Sequence, residues 1–172
     1  MAKGKTKKQN KKNNDGYTKS MGRYYHKKTE VDGIVFDSKT EAEYYEYLIA
    51  EQKAGRVKKF TMQDTFVLQD KFLIVDGKRI DGSDKNFKKI QKQNPGCTIA
   101  AIKYIADFCV TYKDNTVRVI DVKGTKTADF KIKEKMFNYM YPQYNGLYCV
   151  VKYKGQWMEY NECEKAKKAN KK

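Results

Sequence analysis

The sequence predicts a mixed α/β layer fold in which helices cover a central sheet. Three observations predict it. An apolar stripe at helical spacing follows Ser38, and strand-like runs fill much of 57–122. A second helical pattern after residue 127 then leads into a last apolar strand at 147–153. The chain has 172 residues and is 40% hydrophobic, which suits one domain with a modest core of its own.

The elements follow in order. Val31-Asp32-Gly33-Ile34-Val35-Phe36 reads as a tight hairpin tip. Ser38 opens a helix running to about Lys53, with Ala42, Tyr45, Leu48, Ile49 and Gln52 as its buried stripe and Gly55 as its stop. Val57–Phe60 and Thr65–Ile74 read as strands, and Phe72–Ile80 as a hairpin turning on Asp76-Gly77. Residues 81–98, rich in Lys, Asn and Gly, read as the longest loop. Thr98–Tyr112 and Thr116–Val122 read as a central strand pair. Thr127 or Asp129 caps a second helix that continues to about Tyr141 and stops at Pro142. Leu147–Tyr153 is an apolar strand, and a Lys154-Gly155 turn leads to Gln156–Tyr160.

Charge divides the chain differently. The net charge is +16, yet residues 1–28 carry ten Lys/Arg against one acid, and residues 165–172 carry five Lys and no acid. The middle is nearly neutral. The expected organisation is a basic arm (1–24), a folded domain (25–161) and a basic tail (162–172). Such tails contact a polyanion through counterion release, the plainer alternative being solubility. The lysine-rich N-terminus lacks a signal peptide's apolar stretch, and no apolar run could span a bilayer, so the expectation is a cytoplasmic protein without a membrane partner. The four cysteines form no C-x-x-C pair and are expected to be reduced thiols. His26 is the single histidine, which excludes His-based metal sites. No Walker loop, G-x-G-x-x-G or G-x-S-x-G is present, against an ATPase, a Rossmann enzyme or a serine hydrolase.

The chemistry concentrates in two strands. Asp107 sits in Tyr104-Ile105-Ala106-Asp107-Phe108, and Asp121 and Lys123 sit in Val119-Ile120-Asp121-Val122-Lys123-Gly124. Strand alternation puts Asp121 and Lys123 on one face, and a turn at Lys113-Asp114-Asn115-Thr116 brings Asp107 beside them. Two acids in apolar strands are costly for stability alone. With a lysine they suit a divalent cation and an attacking water at a phosphate. Glu41 fits two readings, a capping box in Ser38-Lys39-Thr40-Glu41 and a third carboxylate on the sheet-facing side of the helix; Glu43 is its alternative. Lys131, Lys135 and Asn138 share a face of the second helix, either solvated or turned to a nucleic-acid backbone.

Glu41 on a first helix, Asp107 on one strand and Asp121-x-Lys123 on the next together resemble the PD-(D/E)XK nuclease superfamily. The segments Phe36-Asp37-Ser38-Lys39-Thr40-Glu41-Ala42, Tyr104–Phe108 and Asp121-Val122-Lys123-Gly124 look like a family of small bacteriophage endonucleases similar to Holliday-junction resolvases. Ala106 stands where the superfamily's name has proline. The resemblance implies a restriction-endonuclease-like core of helix, three strands, helix and strand. It implies Mg²⁺- or Mn²⁺-dependent hydrolysis of DNA, branched or duplex, by a phage protein acting in the bacterial host cytoplasm in recombination, replication or packaging. It also implies a homodimer. Glu41, Asp107 and Asp121 would be catalytic carboxylates and metal ligands, with the Val122 carbonyl as a further ligand and Lys123 as the catalytic lysine. Lys27, Lys28, Lys126, Lys131 and Lys135 are the expected DNA contacts. The competing expectations are a non-catalytic nucleic-acid-binding module and a phage protein-interaction factor with basic tails.

Overall fold

A computed structural model describes residues 28–170. It is an α/β fold with a mixed central sheet. Strands β1 (Thr29–Val31) and β2 (Ile34–Phe36) form the expected hairpin. Its tip takes left-handed backbone at Asp32 and Gly33 (φ 52° and 76°), which glycine adopts freely and aspartate tolerates. Helix α1 (Lys39–Lys53) starts where the Ser38 hydroxyl accepts the Glu41 amide at 3.2 Å. Ala42, Tyr45 and Leu48 are buried as expected. Gln52 is exposed instead, its amide donating to the Lys58 carbonyl at 3.2 Å. Tyr44 fills the core in its stead, its ring 5.3 Å from Phe108 and 4.8 Å from Trp157.

Then come β3 (Val57–Met62), β4 (Thr65–Gln69), β5 (Phe72–Val75), β6 (Lys78–Asp81), α2 (Phe87–Gln93), β7 (Thr98–Ile99), β8 (Ile102–Ile105), β9 (Phe108–Tyr112) and β10 (Val117–Val122). Helix α3 (Ala128–Met140), a 3-10 turn at Pro142–Tyr144, β11 (Leu147–Tyr153), β12 (Gln156–Glu159) and α4 (Tyr160–Ala169) complete the order. The central sheet runs β12-β11-β10-β9-β3, parallel only between β10 and β11. Helix α1 covers one face with Tyr44, Leu48, Phe108, Val110 and Ile120, and α3 covers the other with Phe130, Phe137, Val119 and Cys149. Among the described residues no helix is long and apolar enough to cross a membrane.

Three expectations are corrected. The long strands expected at Thr65–Ile74 and Thr98–Tyr112 are each broken, because the chain passes from one sheet to another at 70–71 and 100–101, and the second breaks again at 106–107. The expected loop at 81–98 contains α2, whose inward residues Phe87 and Ile90 are too few among lysines and asparagines to show as a stripe. The tail expected from 162 is helical through Ala169, with Cys163 buried and α4 packed on β11 and β12.

The break at 106–107 positions the site. Pairs Met62↔Phe108 and Thr65↔Ile105 belong to one register, so β3–β4 and β9–β8 form a single ribbon interrupted on both sides at the same level. Gln63 there has φ 59°, and the Ala106 amide donates to the Asp64 carbonyl at 3.0 Å. The ribbon bends, and β8 leaves β10 after the Ile120↔Phe108 pair.

Candidate functional site

The end of β10 keeps a backbone partner on only one side. There the Lys123 amide donates to the Val150 carbonyl at 3.0 Å. On the vacated side, the Val122 amide donates to Asp107 Oδ2 at 2.7 Å. A side-chain carboxylate thus replaces the strand that bent away, satisfying a buried donor that would otherwise cost stability. The expected turn is formed, with the Tyr112 amide donating to the Thr116 carbonyl at 2.9 Å, and Asp107 and Asp121 come together as the sequence implies.

Asp121 is 1% exposed, the single charged residue in the described core. Its Oδ1 accepts the Tyr104 hydroxyl at 2.5 Å. Lys123 Nζ lies 3.0 Å from Oδ2, an ion pair without hydrogen-bond alignment, so this buried oxygen has no aligned donor. Burial, and then the charge of Asp121, push the Asp107 carboxyl up to about 7. Burial likewise raises Glu41, against a lowering hydrogen bond from Ser38. For Lys123 burial works downward, but Asp121, Asp107 and Glu41 together outweigh it and hold the ammonium above its ordinary value. Tyr104 is raised by burial and by Asp121 and stays protonated as a donor.

These groups line a cleft of about 1030 Å³. The first turns of both α1 and α3 open onto it, through Ser38, Thr40 and Glu41 on one side and Thr127, Asp129 and Phe130 on the other. Helix N-termini carry partial positive charge and favour anions. Thr127 is the α3 cap, accepting the Phe130 amide at 3.2 Å, while Asp129 pairs with Lys133 at 3.1 Å. Glu41 is capped by Ser38 at its amide, and its Oε1 accepts the Ser38 hydroxyl at 2.9 Å rather than the Ser38 amide of a full capping box; its side chain also lines the cleft. Glu43 is tied to Lys152 at 2.7 Å and does not line the cleft.

The expected DNA contacts are distributed less simply. Lys27 lies outside the described residues, and Lys28 is exposed, 3.9 Å from Asp37. Lys131 and Lys135 are exposed on α3 but do not line the cleft, whereas Lys133 does. Lys126 points inward: its side chain is 8% exposed, 2.7 Å from Glu134 and stacked against the Phe130 and Tyr160 rings. A cation so paired is a structural tie. Asn138 is likewise engaged, accepting the Leu147 amide at 2.9 Å. The sequence reading missed Lys103 and Tyr104, which also line the cleft. Lys103 stands four residues before Asp107, at the strand period of two, and alternation could have found it.

The donor set suits a hard divalent cation: carboxylate oxygens, one of them buried without an aligned donor, beside the Asp107 carboxyl, which burial and then the charge of Asp121 push up. Among the described residues, no three His, Cys, Asp or Glu side chains are gathered into a metal cluster; Glu41, Asp107 and Asp121 share the cleft without forming a cage. All four cysteines are free thiols, and burial pushes the Cys149 thiol up to about 12.

A family model described as "Protein of unknown function (DUF1064)" matches residues 21–156. No curated protein and no solved structure matches the chain.

Proposed function

Since the chain belongs to the DUF1064 family, whose description assigns no function, we propose an activity from its own residues: a divalent-metal-dependent DNA endonuclease of the PD-(D/E)XK kind, acting on branched or otherwise structured DNA. The observation that carries the reading is the Asp107–Asp121–Lys123 group at the ribbon bend, inside a cleft faced by two helix N-termini. The order α1, β3, β9, β10, α3, β11 supports a restriction-endonuclease-like core of helix, three strands, helix and strand. The phage origin and the homodimer rest on the resemblance of the motifs alone.

Glu41, Asp107 and Asp121 would hold Mg²⁺ or Mn²⁺, with the Val122 backbone beside them. Bound there, the ion would supply Lewis-acid polarisation of a phosphate oxygen and a water of lowered pKa. The chain's own residues do the rest. Tyr104 fixes the orientation of the Asp121 carboxylate through Oδ1 and leaves Oδ2 toward Lys123. Lys123, held protonated by three acids, offsets phosphate charge and can donate a proton, so it is a poor base in the metal-free cleft. The first turns of α1 and α3 add their dipoles to the same end. Exposed Lys103 and half-buried Lys133, which pairs with Asp129, stand at the cleft for backbone contacts.

The test is cleavage of a labelled four-way junction, a linear duplex and a single strand with Mg²⁺, Mn²⁺ or EDTA. The parent is expected to cut the junction preferentially and only with metal. Asp121→Asn and Lys123→Ala are expected to lose on the order of 100-fold or more in rate while still binding DNA. Cutting by either variant at the parent's rate overturns the site. Binding without cutting by the parent favours a non-catalytic module.

A further inference from the structure

Residues 70–101 leave the ribbon between β4 and β8 and fold into an arm of β6-β5-β7 and α2. The arm buries Leu73 and Phe87, which belong to neither face of the central sheet. On α2, Phe87, Ile90, Gln91 and Asn94 turn inward, and Gln91 donates to Thr98 Oγ1 at 3.0 Å. The opposite side presents Lys88, Lys89 and Lys92, with Lys85 one turn before, all exposed. Lys71 and Arg79, also on the arm, are committed to the Phe87 and Phe72 rings. Lys85, Lys88, Lys89 and Lys92 have no acidic partner within 4.0 Å among the described residues, whereas α1, α3 and α4 each pair at least one lysine with an acid of the same helix.

The placement works against the helix that carries it. Lys88 and Lys89 lie in the first turn, where the dipole repels cations, and that turn has no acid and no side-chain cap. Like charges three and four residues apart add further repulsion. A polyanion laid across the face removes both penalties. The arm is also near enough to share a ligand with the cleft. Its base, where Gln69 pairs with Ile102, is five residues from Asp107, at most about 18 Å of chain, and the start of α2 packs beside that base, the Phe87 ring 5.1 Å from Lys71 Nζ; one turn of duplex spans about 34 Å.

We propose that Lys85, Lys88, Lys89 and Lys92 form a second contact surface for the phosphate backbone, gripping the flank of the DNA whose other part lies in the carboxylate cleft. The surface rests on the nuclease reading for the identity of its ligand. It reads no bases, since lysine point charges contact phosphate without sequence information.

The experiment measures binding of the full chain to a 30-base-pair duplex in EDTA across a salt series. The variant is Lys85→Gln/Lys88→Gln/Lys89→Gln/Lys92→Gln, with the matching four-arginine variant as control and thermal melting to show that both fold. At ~0.9 per phosphate neutralised, the slope of log K against log salt is expected to fall by up to about 3.6 in the glutamine variant and to hold in the arginine one. A glutamine variant with the parent's slope overturns the proposal. So does a parent that binds no duplex, or an arginine variant that behaves like the glutamine one. Asp121→Asn cleavage is read separately: unchanged cutting there sinks the nuclease site and leaves the arm to stand on its salt slope.

Discussion

Asp107 shows how one side chain can be structural and chemical together. Its Oδ2 replaces a missing strand for the Val122 amide, while burial and Asp121 lift its carboxyl from an ordinary 3.8 to about 7. In the unfolded chain the proton leaves near the ordinary value. Between the two values the folded state holds more protons, so this residue's contribution is full at acid pH and is lost as pH rises toward about 7. Asp107→Asn keeps an acceptor for Val122 and removes the titration. In EDTA, the parent's melting temperature is therefore expected to fall relative to Asp107→Asn between about pH 4 and 7. A difference that stays constant with pH would show that Asp107 does not titrate in this window. Asp107 and Asp121 were legible in the sequence because acids are rare in apolar strands, and Lys123 because its two-residue spacing puts it on the face of Asp121. Tyr104 was not: a tyrosine in a strand reads as core, and only the distance to Asp121 reveals its hydroxyl's role.

The helices differ in how openly the sequence announces them. Helices α1 and α3 carry caps, stripes and stop signals, and their first turns form two walls of the cleft. The choice between Thr127 and Asp129 as the α3 cap needed the backbone, since either residue type can cap. Thr127→Ala should destabilise the protein by about 1 kcal/mol in urea unfolding, and Asp129→Ala, which removes an exposed pair, by well under that. Equal losses would show that the cap assignment is wrong. Helix α2 gave almost no signal because Phe87 is its single buried residue, and part of its support is a bond from Gln91 to Thr98 of β7. Both long strands looked continuous because alternation persists through a bend; only pairing shows where a strand changes partner.

At the scale of the molecule, two helices on opposite faces of a mixed sheet leave one end open, and that end holds the acids. Helix α4 closes the far side of the site's support, with Cys163 buried and the Tyr160 ring 5.3 Å from Lys126 Nζ. Its lysines read as a tail, yet Tyr160, Cys163 and Lys167 share one face at helical spacing. Ending the chain after Glu159 should cost about 2–4 kcal/mol of apolar burial. At roughly 2–4 °C per kcal/mol, melting should drop by about 5–15 °C. An unchanged melting temperature would mean that α4 contributes nothing to the fold.

The sequence alone determined the α/β class, the first and third helices, the hairpin tips and that Asp107, Asp121 and Lys123 would come together, as they do in lining the cleft. Each of these is written in local spacing, in caps, or in a polar residue placed where strands disfavour it. Tertiary structure alone decided that the ribbon bends at 106–107, that Tyr104 holds Asp121, that Lys126 turns inward and that 87–93 is helical. Those facts depend on which distant segment satisfies a backbone amide or a buried charge, and no spacing along one chain records that partner.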